Sequence, residues 1–393
     1  MSSFLEPPRL RIGEDSEEER RATWLELFYD LVFVVAVSQL AHYLHSDVSL
    51  SGVFGFVALF IPVWWSWIGT TFYANRFDSD DVGHRLLTAV QMLAIAALAV
   101  NVHHGLGDSS TGFALSYALG RAVLVVEYIR AGWHIPTARP LTTRYAIGFA
   151  IAATLWAISA FVPILWRNIL WSLGLFIDFT TPLLARKLLL EIPLHSSHLP
   201  ERFGLFTMIV LGEAVVGVVN GVSEHSWDVL TVISAVFGLS IAFSLWWVYF
   251  DNLGGTPIQR ARTEGRTTIF NIWLYTHLPL VMGFAATGVA VELVLLSETP
   301  LALPDAVRWL LCGSVALCYL TLGILHRLGV IRYCKSRAKF RIGAVPILLL
   351  IAFFGKGLLP VVVIGLVAVV STVQVVQDLY QSRPTTRLVD PEI

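Results

Sequence analysis

Apolar runs of about 20 residues, the length a helix needs to cross hydrocarbon, follow one another almost without pause between residues 24 and 379. Twelve are marked off by polar or proline-bearing breaks: 24–44, 50–72, 85–105, 112–132, 144–162, 165–185, 203–222, 228–250, 267–290, 305–326, 342–356 and 358–379. Only short hinges at Pro163 and Pro360 part the fifth run from the sixth and the eleventh from the twelfth. This pattern predicts an all-α polytopic membrane protein of about twelve transmembrane helices. Composition agrees: 56% of residues are hydrophobic and 14% charged, and the mean hydropathy of +0.70 exceeds what a soluble domain can hide in its core. Residues 1–23 are polar and carry no charged-apolar-small cleavage pattern, so the first run is expected to be retained.

Net charge is −1, but its distribution is lopsided. Of the 27 Lys and Arg, 23 fall in the amino-terminal segment, in every second loop and in the tail, whereas the opposite loops hold only Arg167 and Lys356. Arg121 and Arg308 lie within runs. By the positive-inside rule both chain ends are expected in the cytoplasm. Trp24, Trp64, Trp133 and Trp227 stand near run ends, as an interfacial belt would place them. Arg332, Lys335, Arg337, Lys339 and Arg341 could touch anionic lipid, although topology alone accounts for them.

The two halves echo each other. Trp64–Trp65 recur as Trp246–Trp247, Arg85 as Arg266, and Arg144 and Pro163 as Arg341 and Pro360. Six crossings per half give parallel repeats about an axis along the membrane normal. The expected organisation is a cytoplasmic segment 1–23, a first six-helix repeat 24–185, a cytoplasmic connector 186–202 containing Pro193, His195, His198 and Pro200, a second repeat 203–379 and a tail 380–393.

Ionisable residues inside the runs are the candidate chemistry, because each costs about 2.5–3.5 kcal/mol at a helix centre and must face a partner or a watery path. Glu26 and Asp30, four apart, share one helical face, with Ser38 and Gln39 farther along. Glu213 lies near the middle of the seventh run, where Gly204, Gly212, Gly217 and Gly221 favour close packing. By the repeat register it corresponds to Asp30, and the two acids could form a shared cation or proton site. Arg121 is the natural counter-ion for Asp30, Asp178 or Glu213, and Glu127 points about 120° away from it. His277, beside Pro279, could shuttle protons or sit hydrogen-bonded in the core. Asp251, and Asn75, Arg76, Asp78 and Asp80, end two runs on the expected inner side, as a gate or as ordinary snorkelling charges.

His42, His45, His103 and His104 gather by topology at the outer side, where ordinary interfacial histidines are the default. No metal site is expected; Cys312, Cys318 and Cys334 lack ligand spacing. Nor is there a Gly-x-x-x-x-Gly-Lys, His-Glu-x-x-His or Gly-x-Ser-x-Gly pattern, so neither an enzyme, a cofactor nor a nucleic-acid partner is expected.

Four segments together, Trp24-Leu-Glu-Leu-Phe-Tyr-Asp-Leu-Val-Phe33, Arg202-Phe-Gly-Leu-Phe-Thr-Met-Ile-Val-Leu-Gly-Glu213, Leu245-Trp-Trp-Val-Tyr-Phe-Asp251 and His277-Leu-Pro-Leu280, resemble the bacterial low temperature requirement protein A family across about residues 20–380. The resemblance implies a multi-pass inner-membrane protein linked by name to growth in the cold, without a substrate. Phe28-Tyr-Asp-Leu-Val-Phe33 also looks like the Phe-Ser-Asp opening of the pore helix in the potassium channels built from six-helix repeats, though Tyr29 replaces the serine and the second half has no matching Phe-x-Asp.

The leading expectation is a transporter of a cation or small solute, coupled to a proton or sodium ion, with Glu26, Asp30, Arg121, Asp178, Glu213 and His277 lining its path. The alternatives are a passive cation channel and a non-transporting sensor or scaffold whose charges only register helices.

Overall fold

The computed structural model describes residues 7–10, 22–79, 81–185, 188, 192, 198–224, 228–251, 267–297, 301–328 and 334–382. Among them are twelve long helices: α1 (Trp24–Ser46), α2 (Leu50–Arg76), α3 (Val82–Val100), α4 (Ser110–His134), α5 (Arg139–Ser159), α6 (Ile164–Leu184), α7 (His198–Ser223), α8 (Val229–Phe250), α9 (Thr267–Leu295), α10 (Asp305–Leu328), α11 (Cys334–Phe354) and α12 (Pro360–Ser382). Ten are long and apolar enough to cross a membrane. The other two are α6, interrupted by Arg167, Asn168 and Asp178, and α11, which opens on Lys335, Arg337, Lys339 and Arg341. The chain is thus an all-α polytopic membrane protein. A minimal ribbon joins β1 (Arg9–Leu10) to β2 (Phe77–Asp78), with Arg9 opposite Asp78. Asp80, Pro193, His195, Trp227 and most of the connector and tail lie outside the described residues.

Helix ends follow local chemistry. Thr23 and Glu26 form a capping box on α1, the Thr23 amide donating to Glu26 Oε2 at 2.7 Å, which satisfies donors the first turn leaves open. Between α1 and α2 the Asp47 carboxylate accepts from the Ser49 amide at 2.9 Å, and Ser49 in turn caps α2. Those Ser49 bonds hold the Asp47 carboxyl below the usual carboxylate range. Gly52 is required in this turn, since a Cβ there would meet the Asp47 carbonyl.

One end of the bundle gathers the start of α1, the end of α2, the start of α3 and the end of α4. We call it the basic end. In α1 the buried side chains run Glu26, Tyr29, Asp30, Phe33, Val37, Leu40 and Leu44, the three-and-four spacing of one helical face. Its other side shows Leu31 and Val35, which suits hydrocarbon. Most deeply enclosed are α2 and α9.

The halves meet where α1 packs on α7 and α9, and α2 on α7. Trp64, expected in an interfacial belt, is instead fully buried with Trp65: α2 continues to Arg76, which moves Trp64 to mid-helix. Trp24 and Trp133 are exposed as a belt requires.

Asp81 caps α3 through the Gly83 and His84 amides and accepts from Arg130 of α4 at 2.7 Å. Burial alone would raise its pKa, but Arg130 and the two amides outweigh that and lower it. A carboxyl lowered on folding stabilises fully above its unfolded value of about 3.9 and loses that contribution as pH falls through the folded value. Asp81→Ala should therefore cost about 1–2 kcal/mol at neutral pH, read as a lower unfolding midpoint in detergent, and the gap to the parent protein should close in acid. A gap that persisted at pH 2 would contradict this role.

Candidate functional site

Arg202, in the second turn of α7, is buried against α1. Its Nη2 donates to Asp30 Oδ1 at 2.6 Å, and its Nη1 lies 3.4 Å from Glu26 Oε1. Asp30 Oδ1 also accepts from the Trp67 indole of α2 at 2.8 Å. His198, one turn before Arg202, reaches Glu26 Oε2 at 3.3 Å and Asn75 of α2 at 3.3 Å. Two carboxylates on one face would repel each other; a single planar guanidinium with its fork of donors answers both. Three helices from the two halves are thereby tied at one level.

That level separates the two acids expected to face each other. Glu26 lies beside His198, Asp30 beside Arg202, and Phe33 beside Phe206; α1 and α7 therefore run parallel, and the residue opposite Asp30 is Arg202. Glu213 comes eleven residues later in α7, about 16 Å farther along the axis at 1.5 Å per residue. The repeat register was counted through loops of unequal length, which do not preserve depth.

Arg121 of α4 pairs with Asp178 of α6, not with Asp30 or Glu213. Its Nε lies 3.2 Å from Asp178 Oδ2. Tyr117 sits between them, accepting from Arg121 at 2.9 and 3.0 Å and donating to Asp178 at 2.5 Å. Gly69 of α2 makes the space, because a Cβ there would lie 2.6 Å from the guanidinium. Glu127, two turns along α4, belongs to a different chain of contacts: Tyr29 donates to Thr70, Thr70 to Gln91, and Gln91 Nε2 to Glu127 at 2.9 Å, with His84 3.3 Å from the other carboxylate oxygen. Near the basic end of α11, buried Arg341 is paired with Asp378 of α12, and Arg337 lies 3.5 Å from the same acid. These two arginines are thus held inside the bundle.

Glu213 differs from all of these. It is buried, yet among the described residues it has neither a hydrogen bond nor an ion pair. The charged group that acts on it is another acid, Glu292 of α9. The reason for their approach is small residues: a Cβ on Gly288 would meet the Glu213 carbonyl at 2.9 Å, and one on Gly217 would meet the Gly288 carbonyl at 2.6 Å. The backbones of α7 and α9 therefore run nearly in contact. From Glu292 polar groups continue outward, to Asn220 at 3.3 Å and His45 at 3.9 Å. The His45 ring stacks on His42, whose ring lies 5.0 Å from His103, itself 4.5 Å from His104. Partial burial, then His104 and His42, hold the His103 imidazole below its ordinary pKa. Among the described residues no three such side chains are placed to hold a metal ion.

His277 is buried in α9. Its Nδ1 faces the Trp273 carbonyl at 2.7 Å, and a carbonyl only accepts, so Nδ1 carries the proton and Nε2 accepts from the Tyr249 hydroxyl at 3.2 Å. Asp251 ends α8, exposed, close enough to Asp378 of α12 for the two carboxylates to act on each other, and Asp78 belongs to the ribbon with Arg9. Residues that the sequence did not single out for chemistry are Arg202, Trp67, Tyr117, Tyr249 and Glu292. Arg202 and Glu292 fall just outside the apolar runs, where hydropathy assigns charges to loops.

The sequence profile described as Bacterial low temperature requirement A protein (LtrA) matches residues 21–376. A relative from Rhizobium meliloti (strain 1021), described only as an uncharacterized protein, is 27% identical over 295 residues, covering 71% of this chain and 70% of its own length. No solved structure matches.

Removing Arg202 leaves two buried carboxylates without their cation. Arg202→Met should destabilise by about 3–5 kcal/mol, the scale for breaking a buried pair from one side, and Arg202→Lys should recover part of it, having no planar fork. Unfolding curves in mild detergent would show this; equal stability of Arg202→Met and the parent would refute the tie between α1 and α7.

Proposed function

We propose that this chain, which belongs to the bacterial low temperature requirement A protein family, moves a cation or a small solute across the membrane by a cycle in which Glu213 exchanges a proton or sodium ion. The observation that carries this reading is the contrast among the buried acids. Glu26, Asp30, Asp178 and Asp378 each face an arginine, and Glu127 a glutamine and a histidine. Glu213 alone among the described residues is left open, with a second acid beside it. A fixed counter-ion would lock a carboxylate in one state; an unpaired one is free to take up and release a cation.

Glu292, Asn220 and His45 supply the polar steps from Glu213 toward the histidine end, which this reading places outside the cell; the basic end, with both chain ends, then faces the cytoplasm. The reading includes two six-helix repeats. It is supported by neighbour pairs that recur: α1 with α2 and α3, α3 with α4, and α4 with α5 in the first half; α7 with α8 and α9, α9 with α10, and α10 with α11 in the second. The recurring pairs leave α1 and α7 side by side where the halves meet, and Arg202 clamps them there.

A second reading, a membrane sensor or scaffold, is favoured by the same clamps, since arginine pairs between distant helices fix one arrangement. Flux separates the two. In proteoliposomes carrying a pH gradient, a panel of alkali cations and small solutes should reveal uptake that collapses to background in Glu213→Gln while the unfolding midpoint stays near that of the parent. Undiminished uptake in that variant would remove Glu213 from the cycle, and the absence of any gradient-driven uptake in the parent would favour the scaffold.

A further inference from the structure

A cleft of about 340 Å³ opens between α7, α8 and α9 on the side of the basic end, bordered by Glu201, Gly204, Tyr249, Phe250, Trp273 and His277. It follows the first three turns of α7, from Pro200 to Met208, and Glu213 is not part of its lining. Its volume is at the lower end of small-ligand sites.

The walls are aromatic, and among the described residues the lining carries one acid, Glu201. Trp273 packs between Phe203 and His277, with ring centroids 4.4 Å from each and the rings tilted at 51° and 56°, so its orientation is set from behind. Phe250 stands at 78° to Tyr249 and comes close to α7 because Gly204 has no side chain; a Cβ there would lie 3.3 Å from the Phe250 ring. Hydrogen-bond direction sharpens the chemistry. His277 Nδ1 is committed to the Trp273 carbonyl and Nε2 receives the Tyr249 proton, so the Tyr249 oxygen, which the Thr207 hydroxyl also approaches, can only accept from a ligand.

The Glu201 carboxylate, exposed at the end of the first turn of α7, is likewise an acceptor. Among the described residues that border the cleft none is Lys or Arg. The carboxyl end of α8, where the last carbonyls of the helix point, closes on Phe250 and is followed by Asp251.

We propose that this cleft binds a small organic ammonium ion, the aromatic ring faces receiving its apolar body and charge while Glu201 and Tyr249 accept its N–H groups. An anion would meet Glu201 and the negative end of α8, and a neutral molecule would leave Glu201 without an answering charge. The cleft is separate from the Glu213 strip, and the inference does not rest on transport.

The test uses full-length protein in nanodiscs of zwitterionic lipid, with benzylammonium as probe and benzyl alcohol and benzoate as its neutral and anionic counterparts. Empty nanodiscs give the partitioning background. Benzylammonium should change tryptophan fluorescence saturably, with little response to the other two. Glu201→Gln, a conservative change at an exposed position, should weaken binding at least tenfold. Gly204→Leu, which fills the cleft without altering charge, should do the same, and Glu213→Gln should leave binding intact. Equal binding of benzoate or benzyl alcohol, or unchanged affinity in both Glu201→Gln and Gly204→Leu, would overturn the proposal.

Discussion

The guanidinium of Arg202 holds the carboxylates of Asp30 and Glu26 at one level of the membrane, and the arrangement of the two halves depends on it. Lipid tails are as apolar as the helix surfaces they touch, so hydrophobicity alone gives little preference for one helix neighbour over another. Charges do discriminate. A carboxylate in hydrocarbon is tolerated only against its cation, which makes the contact of α1 with α7 specific in partner and in depth. Trp67 brings α2 to the same carboxylate, and His198 with Asn75 closes the triangle. The pairs of Arg121 with Asp178 and Arg341 with Asp378 do the same for α4 with α6 and for α11 with α12.

This constraint explains where chemistry is left available. Each satisfied pair removes its acid from exchange, because moving it would strand an arginine at a cost of several kcal/mol. Among the described residues Glu213 is not bound by any such pair. The glycines that bring α7 onto α9 leave no room for an intervening side chain, and they carry Glu292, rather than a cation, to its neighbourhood. Close backbone packing and an unpaired acid thus arise from the same small-residue seam.

Much of the fold was legible in the chain, for a physical reason: in lipid every backbone group must be satisfied within its own helix, so hydropathy marks helices directly. The twelve runs became twelve helices, and Asp30, Arg121, Asp178, Glu213 and His277 are all buried. Pairing was much less legible. It depends on the relative depth of helices far apart in sequence, and loops of unequal length erase that register, so Glu213 was matched to Asp30 when Arg202 is opposite it. Arg202 itself lay hidden because hydropathy closes the connector at residue 202, whereas α7 starts at His198. The same boundary effect hid Glu292 and put Trp64 in the belt.

The central claim is that Glu213 alone, among these buried acids, is chemically open. Labelling of the protein in native membranes with an apolar carbodiimide, followed by peptide mass spectrometry, tests it directly, because the reagent enters hydrocarbon and attacks carboxyl groups not held by a cation. The account predicts rapid modification at Glu213, with Asp30, Asp178 and Asp378 spared. Modification of Asp30 or Asp178 at the same rate, with Glu213 untouched, would contradict it.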